Sequence, residues 1–386
     1  MSLTGLATAV HFTKGYLSKV ENGKARVTKD LAYACDRALD ADGQLYKVAY
    51  GDAAVGVHDQ PSAARANNEP VVPANAPVMI GAAALDELGE LLWHYRALTH
   101  KASPRLAVAA AHAHAIHLQQ QHDRGDGAVT VLAARAAEYA GWVGQELGDA
   151  RAARDWTAKA AELARVGGSE DFEAYSRLRM ADLALESGED ESALAHVRAA
   201  EVLASSKPWL QGLAALRRAR VHALRGESRE CEDALRDAAQ FFPQQTQLSG
   251  FGEDSMLSNA ALEAVHGGWG LYDLGRFEQA ESALVTALAE IPEDNLRLCF
   301  RVRARLALAR AKAGDVGYAC EQAEALAEDV RLLESAPAVR DLRELRRAMG
   351  RWHSPWAQQA RGTLTEALRA HSAEQDRLSE LHGARP

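Results

Sequence analysis

The stretch from Leu274 to Pro292, LGRFEQAESALVTALAEIP, leaves the chain around it little choice of fold. Counted from Gly275, it places Ala280 five positions on, Leu284 nine, Ala287 twelve and Pro292 seventeen. Glycine ends a helix because it enters the left-handed backbone region without a Cβ penalty. The two alanines let the following helix approach its partner closely, and the proline stops that helix. One line of sequence therefore predicts a hairpin of two helices.

The same register recurs with other glycines as origin. Gly148 leads to Ala153 and Ala160, and Gly188 to Ala193 and Ala200. Gly226 leads to Cys231, Leu235, Ala238 and Pro243, and Gly314 to Ala319, Ala323 and Leu326. Seven residues before the five glycines stand Gly141, Ala181, Ala219, Gly268 and Ala307. Successive glycines lie 40, 38, 49 and 39 residues apart, and the long interval holds PQQTQLSGFGEDS, Pro243 to Ser255, which reads as a loop inserted between the third and fourth hairpins. Upstream, Leu88, Leu91, Leu92, Tyr95 and Leu98 share a helical face, and Ser103-Pro104 reads as the start of a second helix. A final helix pair, about 338–349 and 355–371, follows out of register and reads as a cap. The expected fold class is all-α.

With 386 residues the chain has room for more than one unit. Residues 51–83 carry Gly51, Gly56, Pro61, Pro70, Pro73 and Pro77 with little apolar periodicity, and read as a linker between residues 1–50 and a helical domain over 84–386. A hydrophobic fraction of 47% argues against wholesale disorder. No run reaches the ~18 apolar residues of a membrane span and no apolar leader opens the chain, so the expectation is a cytoplasmic protein without membrane contact.

Catalytic and metal chemistry find little support. The phosphate-loop pattern GxxxxGK[ST], GxGxxG and GxSxG are absent, and no carboxylate pair stands out by spacing. His112, His114, His117 and His122 cluster, but only His114 and His117 share a helical face, and no nearby acid completes a metal set. The expectations are no enzyme activity, no cofactor and no metal. Cys35, Cys231, Cys299 and Cys320 form no CxxC pair, and Cys231 takes a small-residue position of the register, so it is expected buried and reduced. Arg217-Arg218 with Arg220, and the run Arg340, Arg343, Arg346, Arg347, read as solvated faces.

The net charge of -9 opposes general attraction to nucleic acid, yet Lys14, Lys19, Lys24, Arg26 and Lys29 gather against the single acid Glu21. Leu3 to Ala9 reads as a helix, and Val10-His11-Phe12 as a tight connection. Thr13 is the N-cap of a second helix ending near Asn22, with Leu17 and Val20 on its inner face. LATAVHFTKGYLSKVENGKARVTKDLAYACDRAL resembles the DNA-binding module of Xre-type helix-turn-helix regulators, over about forty residues and most specifically in TKGYLSKVENGK. The resemblance implies that Lys14, Gly15 and Lys19 face base edges of double-stranded DNA, and that Thr13, Tyr16, Asn22 and Lys24 reach phosphates. Relatives carry a further helix before this motif, with a basic side chain that pairs the glutamate matching Glu21. Here Met1 falls almost at the motif, and Glu21 is expected to go without that partner. The alternative is a helical hairpin that only packs on the rest.

The hairpin register resembles the tetratricopeptide repeat, whose usual period is ~34 residues. That resemblance implies a right-handed α-solenoid in which first helices line a concave groove. Groove positions carried over residue by residue are Glu138 and Trp142, Leu178 and Asp182, Leu216 and Arg220, Val265 and Trp269, and Ala304 and Leu308, with Tyr175, Tyr272 and Arg301 flanking them. Aromatic and arginine side chains together suit a peptide or protein effector; alternatively Trp142 and Trp269 fill gaps opened by Gly141 and Gly268. A module of this kind followed by such an array resembles peptide-responsive quorum-sensing regulators and actinobacterial regulators of development and antibiotic production. It implies a transcriptional regulator, dimeric because such modules read symmetric half-sites in pairs. A repeat scaffold that binds a partner protein and no DNA is the alternative.

Overall fold

The computed structural model describes residues 2–10, 12–22, 24, 27, 29–39, 41, 44, 45, 48, 81–122, 127–242 and 250–383. Among these residues the chain is all-α, with seventeen α-helices, two short 3-10 turns and no strand. It divides into two compact units, residues 1–75 and 76–386. Residues 51–80, most of the expected linker, lie outside the described residues.

The first unit contains α1 (Leu3–Ala9), α2 (Lys14–Glu21) and α3 (Lys29–Leu39). Ala7, Val10, Leu17 and Leu31 form its small core, with Leu6, Tyr16, Val20 and Ala34 packed around them. Thr13 caps α2, its hydroxyl accepting from the Tyr16 amide at 3.3 Å. Asn22 closes the other end, its side-chain amide donating to the Ser18 carbonyl at 2.6 Å.

The second unit is a series of helices: α4 (Ala82–Thr99), α5 (Arg105–His122), α6 (Gly127–Leu147), α7 (Ala150–Val166), α8 (Glu170–Glu186), α9 (Asp190–Leu203) and α10 (Pro208–Leu224). It continues with α11 (Ser228–Phe241), α12 (Asn259–Asp273), α13 (Phe277–Glu290), α14 (Leu296–Ala313), α15 (Val316–Leu333), α16 (Ala336–Ala348) and α17 (Pro355–Gly383). The five register glycines join α6 to α7, α8 to α9, α10 to α11, α12 to α13 and α14 to α15. All five have positive φ, from 73° to 99°. Each turn closes with the same bond, from the amide after the glycine back to the carbonyl four residues before it: Asp149 to Gly144, Glu189 to Ala184, Glu227 to His222, Arg276 to Leu271 and Asp315 to Arg310, all at 2.9 Å. Gly168, at φ 73°, makes the same turn between α7 and α8, and the register did not predict it.

Small residues in the register sit where helices touch. Ala153, Ala160, Ala193, Cys231, Ala238, Ala280, Ala287, Ala319 and Ala323 are fully buried. A Cβ on Gly141 would stand 2.5 Å from Thr157 Oγ1, and one on Gly268 would stand 2.7 Å from Leu284 Cδ2. Both glycines are therefore filled by the facing helix, while Trp142 and Trp269 are themselves buried in the core.

Consecutive helices pack on each other, and the first helices α6, α8, α10, α12 and α14 also touch in sequence, forming a row. Contacts remote in sequence tie the ends of the row together. The corner between α4 and α5 docks on the start of α14: the Arg297 amide donates to the His100 carbonyl at 2.9 Å, and its guanidinium to the Thr99 and Ala102 carbonyls at 2.7 and 2.6 Å. Arg105 pairs with Glu334 at 2.7 Å, and α16 packs on α6. Arg340 reaches Glu186 at 3.0 Å. Among the described residues no helix is long and apolar enough to cross a membrane.

Candidate functional site

The helix row carries a lattice of buried charges. On α6, Glu138 accepts from Arg96 at 2.6 Å and faces Arg179 Nε at 3.5 Å. Arg179, on α8, pairs with Asp182 at 3.2 Å and also donates to Gln145. Asp182 in turn receives Nε and Nη2 of Arg217, from α10, at 3.3 and 3.2 Å. Nη2 of Arg217 also donates to Asp254 at 2.7 Å, and His266 lies 3.9 Å from the other oxygen of that carboxylate. A second branch runs from Arg297 to Glu146 at 3.1 Å, to Arg301 at 3.7 Å, and on to Glu253 at 3.5 Å. A third joins Arg220 and Arg305 through Asp273, and Arg305 to Asp341 in a bidentate pair at 2.9 Å.

The residues expected to line a groove lie in or against this lattice. Glu138, Trp142, Tyr175, Asp182 and Trp269 are at most 8% exposed. Trp269 lies under the guanidinium groups of both Arg220 and Arg301, at 5.6 and 5.3 Å from its ring centroid. Trp142 donates its indole N–H to Glu253 at 3.2 Å. Tyr272 stands apart from the first two branches, under Arg305 at 4.7 Å and donating to Glu344. Leu178, Leu216, Val265, Ala304 and Leu308 are core.

The space in front of these residues holds the described part of the inserted loop. Phe251 packs against Phe172, Tyr175 and Trp209, with ring centroids 5.6, 5.7 and 6.0 Å away. Gly252 has φ 55°, and a Cβ there would fall 2.1 Å from the Tyr175 hydroxyl, so both backbone and space require glycine. Glu253 and Asp254 carry the loop's charge into the lattice. Voids of about 40 Å³ remain along this surface, one beside Asp254 and Trp269 and one beside Arg305 and Asp341. An open cleft of about 1040 Å³ between α4 and α6 reaches Gly250 and Gly252, with Trp93, Arg96, Arg135 and Tyr139 on its walls.

These surroundings fix the ionisation of the lattice. Burial raises the carboxyl pKa of Asp254, but Arg217 and His266 outweigh it and hold the group well below its ordinary range. The Glu253 carboxyl is likewise raised by burial and brought below its ordinary range by Arg301 and His100. His266 is lowered by burial and then by Arg217, and burial pushes His100 down to about 4. Asp182 is lowered in the same way by Arg217 and Arg179, so these three buried carboxyls are each held ionised beside a guanidinium. The arrangement holds matched buried charge across four helices and the inserted loop.

Sequence reasoning missed Arg96, Arg179, Glu146, Arg297, Glu253 and Asp254, and read Arg217 as solvated although it is 2% exposed. A signal for part of this set was present. Nine residues before the register glycines stand Tyr139, Arg179, Arg217, His266 and Arg305. Arginine or histidine at one register position in four hairpins marks a shared polar interior. In the run Arg340, Arg343, Arg346 and Arg347, the first, second and fourth are exposed as expected, and Arg346 is half-buried.

In the first unit, α2 separates its residues cleanly. Leu17 is 4% exposed, while Thr13, Lys14, Gly15, Lys19, Asn22 and Lys24 are exposed and Tyr16 is half-buried. Tyr16 stacks on Phe12 with ring centroids 5.8 Å apart. Glu21 is exposed. Among the described residues no cluster of His, Cys, Asp and Glu has the geometry of a metal site. Comparison with protein-family models and with curated proteins finds no match to this chain.

Proposed function

We propose that the chain is a cytoplasmic, homodimeric transcriptional regulator that binds double-stranded DNA through its first unit and takes a peptide or protein effector on its helix row. One observation carries the DNA reading: α2 buries Leu17 and leaves Lys14, Gly15 and Lys19 in solvent, with Asn22 and Lys24 exposed just beyond its end. A capped helix with one apolar side in a small core and one basic, polar side exposed is what entry into a major groove requires. The net charge of -9 makes the local patch, and not the whole protein, the source of attraction.

The helix series is read as a tetratricopeptide-like right-handed solenoid, supported by the five identical turns and by the row of touching first helices. Its charged, aromatic interior suits recognition and not catalysis. The overall negative charge and the open cleft favour a second reading, a scaffold that binds a partner protein without DNA. Titration of the full chain into fluorescent duplexes tiling its own gene's promoter separates the two. The regulator reading expects one duplex bound far more tightly than the rest, with affinity falling steeply as salt rises. Equal, weak binding to every duplex at low salt leaves the scaffold.

A further inference from the structure

We propose that the interior of the helix row is a recognition site for a peptide segment with an aromatic residue, a glycine and two acids in succession, and that Phe251-Gly252-Glu253-Asp254 is a built-in occupant of it. This deepens the effector reading above and rests on it.

The segment sits in the row as a guest. The interval between Gly226 and Gly275 is 49 residues where its neighbours are 38 to 40, so the hairpins close their register without it. What it brings is complementary in charge. Around it the helices supply Arg96, Arg179, Arg217, Arg297 and Arg301 against Glu138, Glu146 and Asp182. That is five cations for three carboxylates, an excess of two in a buried site. Glu253 and Asp254 supply the two missing negative charges, through Arg301 and Arg217 respectively. Buried charge without a counter-charge is strongly disfavoured, so the site demands a diacidic occupant from some source.

The other positions are equally specific. Phe172, Tyr175 and Trp209 form a pocket for one aromatic ring. The Tyr175 hydroxyl leaves no room for a side chain on the next residue. Trp142 then donates to the first acid and Arg217 to the second. The cleft between α4 and α6 extends to Gly250 and Gly252, which gives an incoming segment a route to the place where the built-in one lies. An external peptide or partner loop of the same chemistry exchanges with Phe251–Asp254, so effector binding and release of the chain's own segment are one event.

The probe is the labelled heptapeptide Gly-Phe-Gly-Glu-Asp-Ser-Met, the sequence of residues 250–256, titrated into the full chain. In Phe251→Ala with Glu253→Gln and Asp254→Asn, the peptide is expected to bind on the order of a hundredfold more tightly than in the wild type, where a tethered competitor at roughly millimolar effective concentration holds the site. The same peptide with lysines in place of its acids is expected not to bind. Because the triple variant leaves cations uncompensated, the wild type provides a second readout independent of its folding. Millimolar heptapeptide is expected to speed amide exchange at Ser255 and Met256, whose amides are bonded to Phe251 and Glu253 within the segment. No exchange effect in the wild type, or no binding to a folded variant, overturns the inference. Binding of the lysine peptide instead overturns the acidic assignment while keeping an effector site. Promoter binding measured on the same samples reports on the regulator reading separately.

Discussion

Arg297 is the side chain whose removal should change the second unit most. It is fully buried, and it joins Glu146 to the Thr99 and Ala102 carbonyls across 151 to 198 positions of sequence. Arg297→Met keeps much of the volume but removes those three bonds. Glu146, also fully buried, is left with Arg301 at 3.7 Å, a guanidinium already shared with Glu253. Breaking a buried pair in this way costs about 3–5 kcal/mol, most of it from the stranded carboxylate. Adding Glu146→Gln removes the stranded charge, so the double variant should recover roughly half of that loss. Urea unfolding followed by circular dichroism measures both, and cooperativity gives a further test. In an open helical array neighbouring repeats unfold semi-independently, whereas a row tied at its ends unfolds as a unit. The second unit should show one transition in the wild type, and Arg297→Met a further, earlier one involving α4 and α5. A loss under about 1 kcal/mol with a single unchanged transition refutes the claim that Arg297 ties the row.

Other expectations test the packing and the charge lattice. Gly141→Ala drives a Cβ to 2.5 Å from Thr157 Oγ1 and 3.2 Å from the Ala153 carbonyl, and should lower stability by about 1–3 kcal/mol. Gly267→Ala, on a helix with nothing within 4 Å of the new Cβ, should leave stability unchanged or raise it by up to about 1 kcal/mol in the same urea assay. For pH, His100 falls from an ordinary 6.5 to about 4 on folding, so the unfolded chain binds the proton more readily. Stability is then full above pH 6.5 and declines as pH drops toward 4, by at most about 3 kcal/mol from this group. His266 acts in the same direction, and below pH 4 the lowered carboxyls of Asp254, Glu253 and Asp182 add to the loss. Thermal melts from pH 8 to 3 that are flat between 6.5 and 4 contradict the neutral burial of these histidines.

Local features of the fold were legible in the sequence because local physics sets them. A left-handed glycine, a small residue where helices touch and a stopping proline each leave a residue at a fixed offset, and together they located five turns. Gly168 escaped because its turn joins one hairpin to the next, where no shared register runs. The tie between the ends was invisible for a different reason. Arg297 opens a helix in the arginine-rich string LRLCFRVRAR, and nothing local separates the arginine that binds two backbone carbonyls from those that face neighbouring helices. Arg217 was misread on similar grounds, since three arginines within four residues resemble a wet face until their offset from the turn glycine is compared between hairpins. The inserted loop was legible as an insertion; that it folds inward was not, because the guanidinium groups that pair with Glu253 and Asp254 come from two different helices, α14 and α10.

The central claim is that α2 reads DNA by sequence, and salt-resolved binding of the promoter duplex by three proteins tests it most directly. The wild type should prefer its duplex over a scrambled one. Lys14→Ala with Lys19→Ala should collapse that preference by about tenfold or more, since each good contact to a base is worth about 1–3 kcal/mol. Lys24→Ala should weaken both duplexes alike and flatten the salt slope by about one unit. A wild type that binds the two duplexes equally, or a double lysine variant that keeps the full preference, contradicts it.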